Sequence, residues 1–273
     1  MNQPYDIDAV ITEGRVIENR PLAAATFLLT LDCPEVAAKA GPGSFVKIRS
    51  WPEPQEGGSP FLDRPLSVHR AAGGRLELLY RVVGPATRLL SRGRPGDRAK
   101  ISGPLGRGLA DHMPRPADMY LAAGGIGLAP MALTRDWLKA AGRPGKIFYG
   151  ERNGAGQVDE KWLQTWAGDY TAVTEDGSGY GRAGLVTEPL AEALAAEPRP
   201  VFACGPTPML AAVADLCGRF GVACLTSVEA GMACGFGVCL TCSLPLKDGG
   251  RFRVCREGPV MNGLTIDWPG VRS

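Results

Sequence analysis

The chain has 273 residues, 45% hydrophobic and 21% charged, with a formal net charge of +2. That length exceeds one small domain and suits two or three modules, and the near-neutral charge lacks the basic stripe that nucleic acid requires. No basic start followed by an apolar run opens the chain, and its longest nearly apolar stretch, MYLAAGGIGLAPMAL, is too short for a membrane span and is broken by glycines and a proline. A cytoplasmic protein with no membrane span is the expectation.

Residues 1–113 read as short strands with alternating apolar and polar positions, among them DIDAVITEGRVIEN, AATFLLTL, GSFVKIRS, RPLSVHR and RLELLYRVV. Glycine- and proline-rich turns punctuate them, which predicts an antiparallel β-barrel. From 114 to 226 the rhythm changes: the strands MYLAA, KIFYG, YTAVTE, PVFACG and VACLTSV alternate with helical stretches such as MALTRDWLKAAG, DEKWLQTWAG, LVTEPLAEALAAE (Thr187 as its cap) and PTPMLAAVADLCGRFG. Such alternation predicts an α/β domain with a parallel sheet covered on both faces. The tail, 227–273, is rich in glycine and cysteine and weakly periodic, as expected of a small domain organised around a bound centre. The fold expected is therefore multi-domain: barrel, parallel-sheet domain and compact C-terminal domain.

That tail contains GMACGFGVCLTCSL and RFRVCREGPV, which place Cys234, Cys239, Cys242 and Cys255 in a C-x4-C-x2-C pattern with the fourth cysteine after twelve more residues. In a reducing compartment clustered thiols point to metal or redox chemistry rather than disulfides. The first three match plant-type 2Fe–2S spacing, and Gly235 and Gly237 clear side chains from a backbone that must pass close to inorganic sulfide. Zinc is the competing reading, although zinc sites usually take two C-x2-C pairs. Cys33, Cys217 and Cys224 lie in apolar surroundings and read as core residues, as His69 and His112 read as core or surface groups.

A centre that passes single electrons needs a two-electron partner, and DRPLS (63–67) with LYRVVGPAT (79–87) supplies a candidate flavin site. Arg64 can grip a phosphate with two hydrogen bonds, Ser67 can bond a ring edge, and Thr87 opens a short helix whose free N–H groups suit a pyrophosphate. For the nucleotide, GGIGLAP, with Gly124, Gly125 and Gly127, and CGPTPM, with Gly205 and Pro206, each sit between a strand and a helix, where a parallel sheet binds phosphates. Cys204 stands where chemistry would occur. The acidic pair Glu175 and Asp176 follows the third strand of the α/β domain, where a carboxylate binds ribose hydroxyls and repels a 2′-phosphate, so NAD is favoured over NADP.

Taken together, the barrel, GGIG-x-x-P, CGP-x-P-M and the cysteine pattern resemble the ferredoxin reductase superfamily. Within it, RPLS, LYRVVG-x-x-T, MACGFGVCLTC and VCREGPV resemble the family of electron-transfer subunits of NAD-dependent dihydroorotate dehydrogenase B. The resemblance implies that Arg64, Pro65, Leu66, Ser67, Leu79, Tyr80, Arg81, Ala86 and Thr87 contact FAD and that the four cysteines hold a 2Fe–2S cluster. It also implies a catalytic FMN-containing dihydroorotate dehydrogenase partner, in a heterotetramer with two of each subunit, whose electrons reach NAD⁺ through cluster and flavin in pyrimidine biosynthesis. Two departures stand out: Ala86 replaces a commonly found glycine, adding a methyl that disfavours positive φ, and the insertion WPEPQEGGSPFLD precedes RPLS and reads as a surface loop. Related subunits serve NAD(P)H–ferredoxin oxidoreductases, sulfide dehydrogenases and hydrogenases. A non-catalytic iron–sulfur redox sensor is the alternative of another class.

Overall fold

The computed structural model describes residues 9–50 and 60–271. The first eight residues and most of the insertion before RPLS, residues 51–59, lie outside them.

Six strands form a closed antiparallel barrel: β1 (Val10–Pro21), β2 (Thr26–Asp32), β3 (Phe45–Arg49), β4 (Arg64–Ala72), β5 (Arg75–Arg81) and β6 (Arg98–Leu105), in spatial order β1-β2-β5-β4-β3-β6. Alternate side chains point inward, as the two-residue strand period dictates. Leu29 and Leu31, Val46 and Ile48, Leu76, Leu78 and Tyr80, and Ala99 and Ile101 fill the interior as one apolar cluster. Helix α1 (Pro34–Ala37) follows β2, α2 (Pro85–Leu90) follows β5 and α3 (Leu109–His112) follows β6.

The second layer is a parallel sheet of β7 (Tyr120–Gly124), β8 (Lys146–Glu151), β9 (Tyr170–Thr174), the short β10 (Arg182–Ala183), β11 (Val201–Cys204) and β12 (Cys224–Ser227). Between the strands run α4 (Met131–Ala140), α5 (Glu160–Ala167), α6 (Thr187–Ala196) and α7 (Thr207–Phe220). Met131, Leu138, Leu163 and Trp166 from α4 and α5 cover one face. Leu190, Leu194, Leu210 and Val213 from α6 and α7 cover the other. Thr187 is the first residue of α6 rather than its cap; Val186 occupies the cap position without a side-chain hydrogen bond. Because β7 has β8 on one side and β11 on the other, the chain direction of the crossovers reverses between β7 and β11. Crevices of this kind, at the carboxyl ends of the strands, bind nucleotides.

The cysteine-rich tail forms a hairpin, β13 (Ser243–Pro245) with β14 (Arg251–Arg253), and then β15 (Val260–Asn262), which pairs antiparallel with β12 and so becomes the seventh strand of the sheet. Just before β15 the tail also grips the barrel: Arg107, beyond β6, donates its backbone N–H to Gly258 and accepts from Val260. The tail thereby ties both larger units together. No helix among the described residues is long and apolar enough to cross a membrane.

Candidate functional site

The candidate residues fall in three groups, and Arg81 of the barrel reaches the cleft at the carboxyl end of the sheet. On the barrel, Arg64, Pro65, Leu66 and Ser67 form the first half of β4 and are half-buried. The Arg64 guanidinium donates to the Leu62 carbonyl at 2.8 Å. On β5 the side chains alternate: Leu79 is packed toward the α/β domain, and Tyr80 is turned into the barrel, with its hydroxyl donating to Asn19 Oδ1 at 3.0 Å. Only the backbone of Tyr80 is left for a ligand on the outer side. Ala86 and Thr87 lie in the first turn of α2. Leu240 is the sole non-glycine residue with positive φ among those described, so the Ala86 methyl meets no left-handed strain and is simply buried. Thr87 is the third residue of its helix rather than its start, and its hydroxyl accepts from the N–H groups of Val83 and Gly84, which fixes the loop entering the helix.

A cleft of about 560 Å³ opens at the ends of the parallel strands. Its walls include Gly124 and Gly125 from the end of β7, Pro206 and Met209 at the start of α7, Glu151 and Glu175, and Arg81 from the barrel. Gly127 sits behind this rim in a tight turn. A Cβ there would fall 2.0 Å from the Cys204 carbonyl oxygen, so only glycine lets the β7 turn pack on the end of β11. Of the acidic pair, Glu175 faces the cleft. Asp176 is absent from its walls and turns its carboxylate back to accept from the N–H and hydroxyl of Ser178, bonds that hold it below the usual carboxylate range.

Cys204 ends β11 and is 1% exposed. Burial first, then the charge of Glu229, pushes its thiol far above the ordinary range. It is therefore a neutral, packed thiol rather than a nucleophile. Glu229, just past β12, presents much of its surface to solvent, yet the protein packed about its carboxyl raises its pKa. This carboxyl escapes a sequence reading because nothing in SVEAG sets it apart; only the fold brings it near Cys204.

The four tail cysteines are gathered and free of disulfides. Cys234 comes within hydrogen-bond reach of Cys239, and Cys242 within reach of Cys255. Backbone N–H groups of Phe236 and Gly237 donate to the sulfurs of Cys234 and Cys255 at 3.3 and 3.0 Å. A Thr241 hydroxyl bond, with backbone donors, lowers exposed Cys239 to about 6, whereas burial pushes Cys255 up to about 12. A buried thiol of that kind becomes a thiolate when a cation binds it. Among the described residues no three ligands are set around one ion. Two thiol pairs fed by backbone donors fit a two-iron centre better than a single tetrahedral zinc.

Residues 229–267 match the model of the iron–sulfur cluster binding domain of dihydroorotate dehydrogenase B. The chain is 32% identical over 266 residues to the dihydroorotate dehydrogenase B (NAD⁺) electron transfer subunit of Desulforamulus reducens, covering 94% of this chain and 98% of the relative. It is 36% identical over 250 residues to a homologue of that subunit from Aquifex aeolicus, covering 91% and 95% of the two chains. Among solved structures, a chain from work on an NADH-dependent reduced ferredoxin–NADP oxidoreductase aligns at 26% identity with a TM-score of 0.78 over 94% of this chain and 90% of that one. The ferredoxin reductase of carbazole 1,9a-dioxygenase shares the fold at 22% identity and TM-score 0.65, over 80% and 68% of the chains.

Proposed function

We propose, because this chain belongs to the family of dihydroorotate dehydrogenase B electron-transfer subunits, that it carries electrons from a catalytic FMN-containing partner that oxidises dihydroorotate to NAD⁺, with two copies of each subunit in the assembly. One observation carries the reading: Phe45 of β3 is the register partner of Ser67 in β4, and the same Phe45 lies in one apolar cluster with Cys242 and Cys255. On the same strand Lys47 pairs with Pro65 and donates to the Ala233 and Cys234 carbonyls, so β3 lies between the proposed flavin strand and the cysteine loop.

When bound, FAD joins the one-electron traffic of an iron–sulfur cluster to hydride exchange with nicotinamide. The chain's own residues do the holding. Arg64 to Ser67, the outer face of β5 at Leu79 and Arg81 with the backbone of Tyr80, and the Ala86–Thr87 turn would cradle the FAD. Gly124, Gly125, Gly127, Gly205 and Pro206 shape the dinucleotide cleft, and Glu175 faces the ribose. Cys204, buried behind the cleft wall against the Gly127 turn, would help set the approach of the nicotinamide. Cys234, Cys239, Cys242 and Cys255 would ligate the cluster.

The partner's place is suggested by the apolar rim around exposed Cys239, where Val238 is 79% and Leu240 58% exposed. Apolar side chains so placed are what a protein interface covers. A compartment that keeps thiols reduced, the cytoplasm, suits the loading of this site.

The test is co-expression with the FMN subunit encoded by the same host. Dihydroorotate-dependent reduction of NAD⁺ by the purified complex, absent from either chain alone, is expected. A complex that binds FAD and iron yet reduces NAD⁺ only from reduced ferredoxin would overturn the substrate assignment. It would favour the second reading, a flavin subunit of an NAD(P)H–ferredoxin oxidoreductase, which the 0.78 TM-score likeness supports.

A further inference from the structure

Lys47 lies in β3, the barrel strand between β4 and β6, and pairs in register with Pro65 and Ser102. It is only 7% exposed. Its ammonium donates to the carbonyls of Ala233 and Cys234 at 2.5 and 3.1 Å. Its stem fills the space beside Gly235, where φ is +84° and a Cβ would fall 2.6 Å from Lys47 Cδ. One side chain of the flavin-side barrel therefore reaches across and holds the loop that presents the first cluster cysteine.

The electrostatics of this contact are incomplete within the described residues. Arg253 also donates to the loop, at the Gly237 carbonyl, but it is balanced by Glu257. Lys47 makes no ion pair with any described carboxylate, and its two acceptors are neutral. An ammonium withdrawn from water without a counter-charge is costly. A 2Fe–2S centre on four thiolates carries a net charge of about −2, and about −3 once reduced, and so supplies what the protein lacks.

We propose that Lys47 is a positioning residue for the iron–sulfur centre: it fastens the Cys234 loop to the strand beside the flavin site, and its charge favours the reduced, more negative state of the cluster. The inference rests on the reading that the four cysteines hold that cluster. Because the reduced centre carries more negative charge than the oxidised one, removing the nearby cation destabilises the reduced form more. The midpoint potential then moves to more negative values.

The experiment is an electron paramagnetic resonance redox titration of the anaerobically purified holoprotein, with iron and FAD contents measured in parallel, for the wild type, Lys47→Met and Lys47→Arg. Methionine keeps much of the stem and removes the charge and the donors. The expected result is a more negative potential in Lys47→Met, a potential near wild type in Lys47→Arg, and unchanged FAD. Loss of iron in Lys47→Met with retention in Lys47→Arg also supports the proposal. Full iron with a wild-type potential in Lys47→Met overturns it, as does equal loss of iron in both variants. Wild-type protein with neither iron nor signal would refute the cluster reading itself, a distinct outcome.

Discussion

Arg81, the last residue of β5 in the barrel, forms an ion pair with Glu151, the last residue of β8 in the sheet, across the junction of the two units. The Glu151 side chain is 4% exposed and that of Arg81 28%. Tyr149 donates to the same carboxylate at 3.5 Å. Removing the acid leaves a half-buried guanidinium without its partner, so Glu151→Gln is expected to lower stability by about 1–3 kcal/mol. Urea unfolding checks this, and the double variant Arg81→Met/Glu151→Gln should recover most of the loss because it strands no charge.

Glu175, in the cleft wall, is the residue expected to discriminate against NADPH. A carboxylate facing the cleft repels a 2′-phosphate, and an arginine in its place accommodates one. Glu175→Arg is expected to improve the NADPH-to-NADH ratio of kcat/KM about tenfold or more, or ~1.4 kcal/mol. Asp176→Asn should leave that ratio unchanged, because Asp176 is occupied with Ser178.

Cluster loading and flavin binding should separate by mutation. Cys242→Ala, at a 2% exposed ligand position, is expected to abolish the iron signal while FAD absorbance persists, since Arg64–Ser67 belong to a barrel that closes without the tail. Metal analysis alongside visible spectra measures both.

Cys204→Ala is expected to slow hydride transfer between NADH and the flavin several-fold, with FAD content unchanged. The thiol is neutral and packed, so the rate loss should show no new pH dependence, in contrast to the removal of a general acid or base. Stopped-flow reduction of the flavin across pH is the measurement.

His69 gives a pH dependence with a defined sign. Its Nδ1 faces the Ala129 carbonyl at 2.9 Å, and its ring lies against Trp162 and Trp166 between barrel and helix α5. Burial lowers its pKa to about 4, against 6.5 for a free histidine. Between those values the unfolded chain binds the extra proton, so stability is full above about pH 6.5 and falls as pH drops toward 4, by at most about 3 kcal/mol. Arg70, Arg135 and Asp136 from the neighbouring β4 and α4 share this region. Comparing urea midpoints of the wild type and His69→Gln across pH 4–7 should show a flatter profile in the variant.

The local grammar of the chain was enough to recognise the barrel strands, the alternating α/β segment and the cysteine spacing, because each depends on residues close in sequence: two-residue alternation, glycine turns and thiolates delivered by one loop. The same short-range logic offered RPLS and GGIG as candidate ligand-binding segments. What it could not assign was which side of a strand or loop each residue serves. Tyr80 points into the barrel and Asp176 turns to Ser178, while Glu175 and Arg81 line the cleft and Glu229 lies near Cys204.

Spacing and periodicity alone determined that this protein is a barrel, a parallel sheet and a four-thiol loop in that order. Tertiary structure alone decided that β15 from the tail completes the sheet, that Glu151 meets Arg81, and that Lys47 reaches the cluster loop some 187 residues away along the chain. The reason is physical: strand alternation and turn chemistry act between neighbours, whereas a buried charge finds its partner only where packing has closed the chain upon itself.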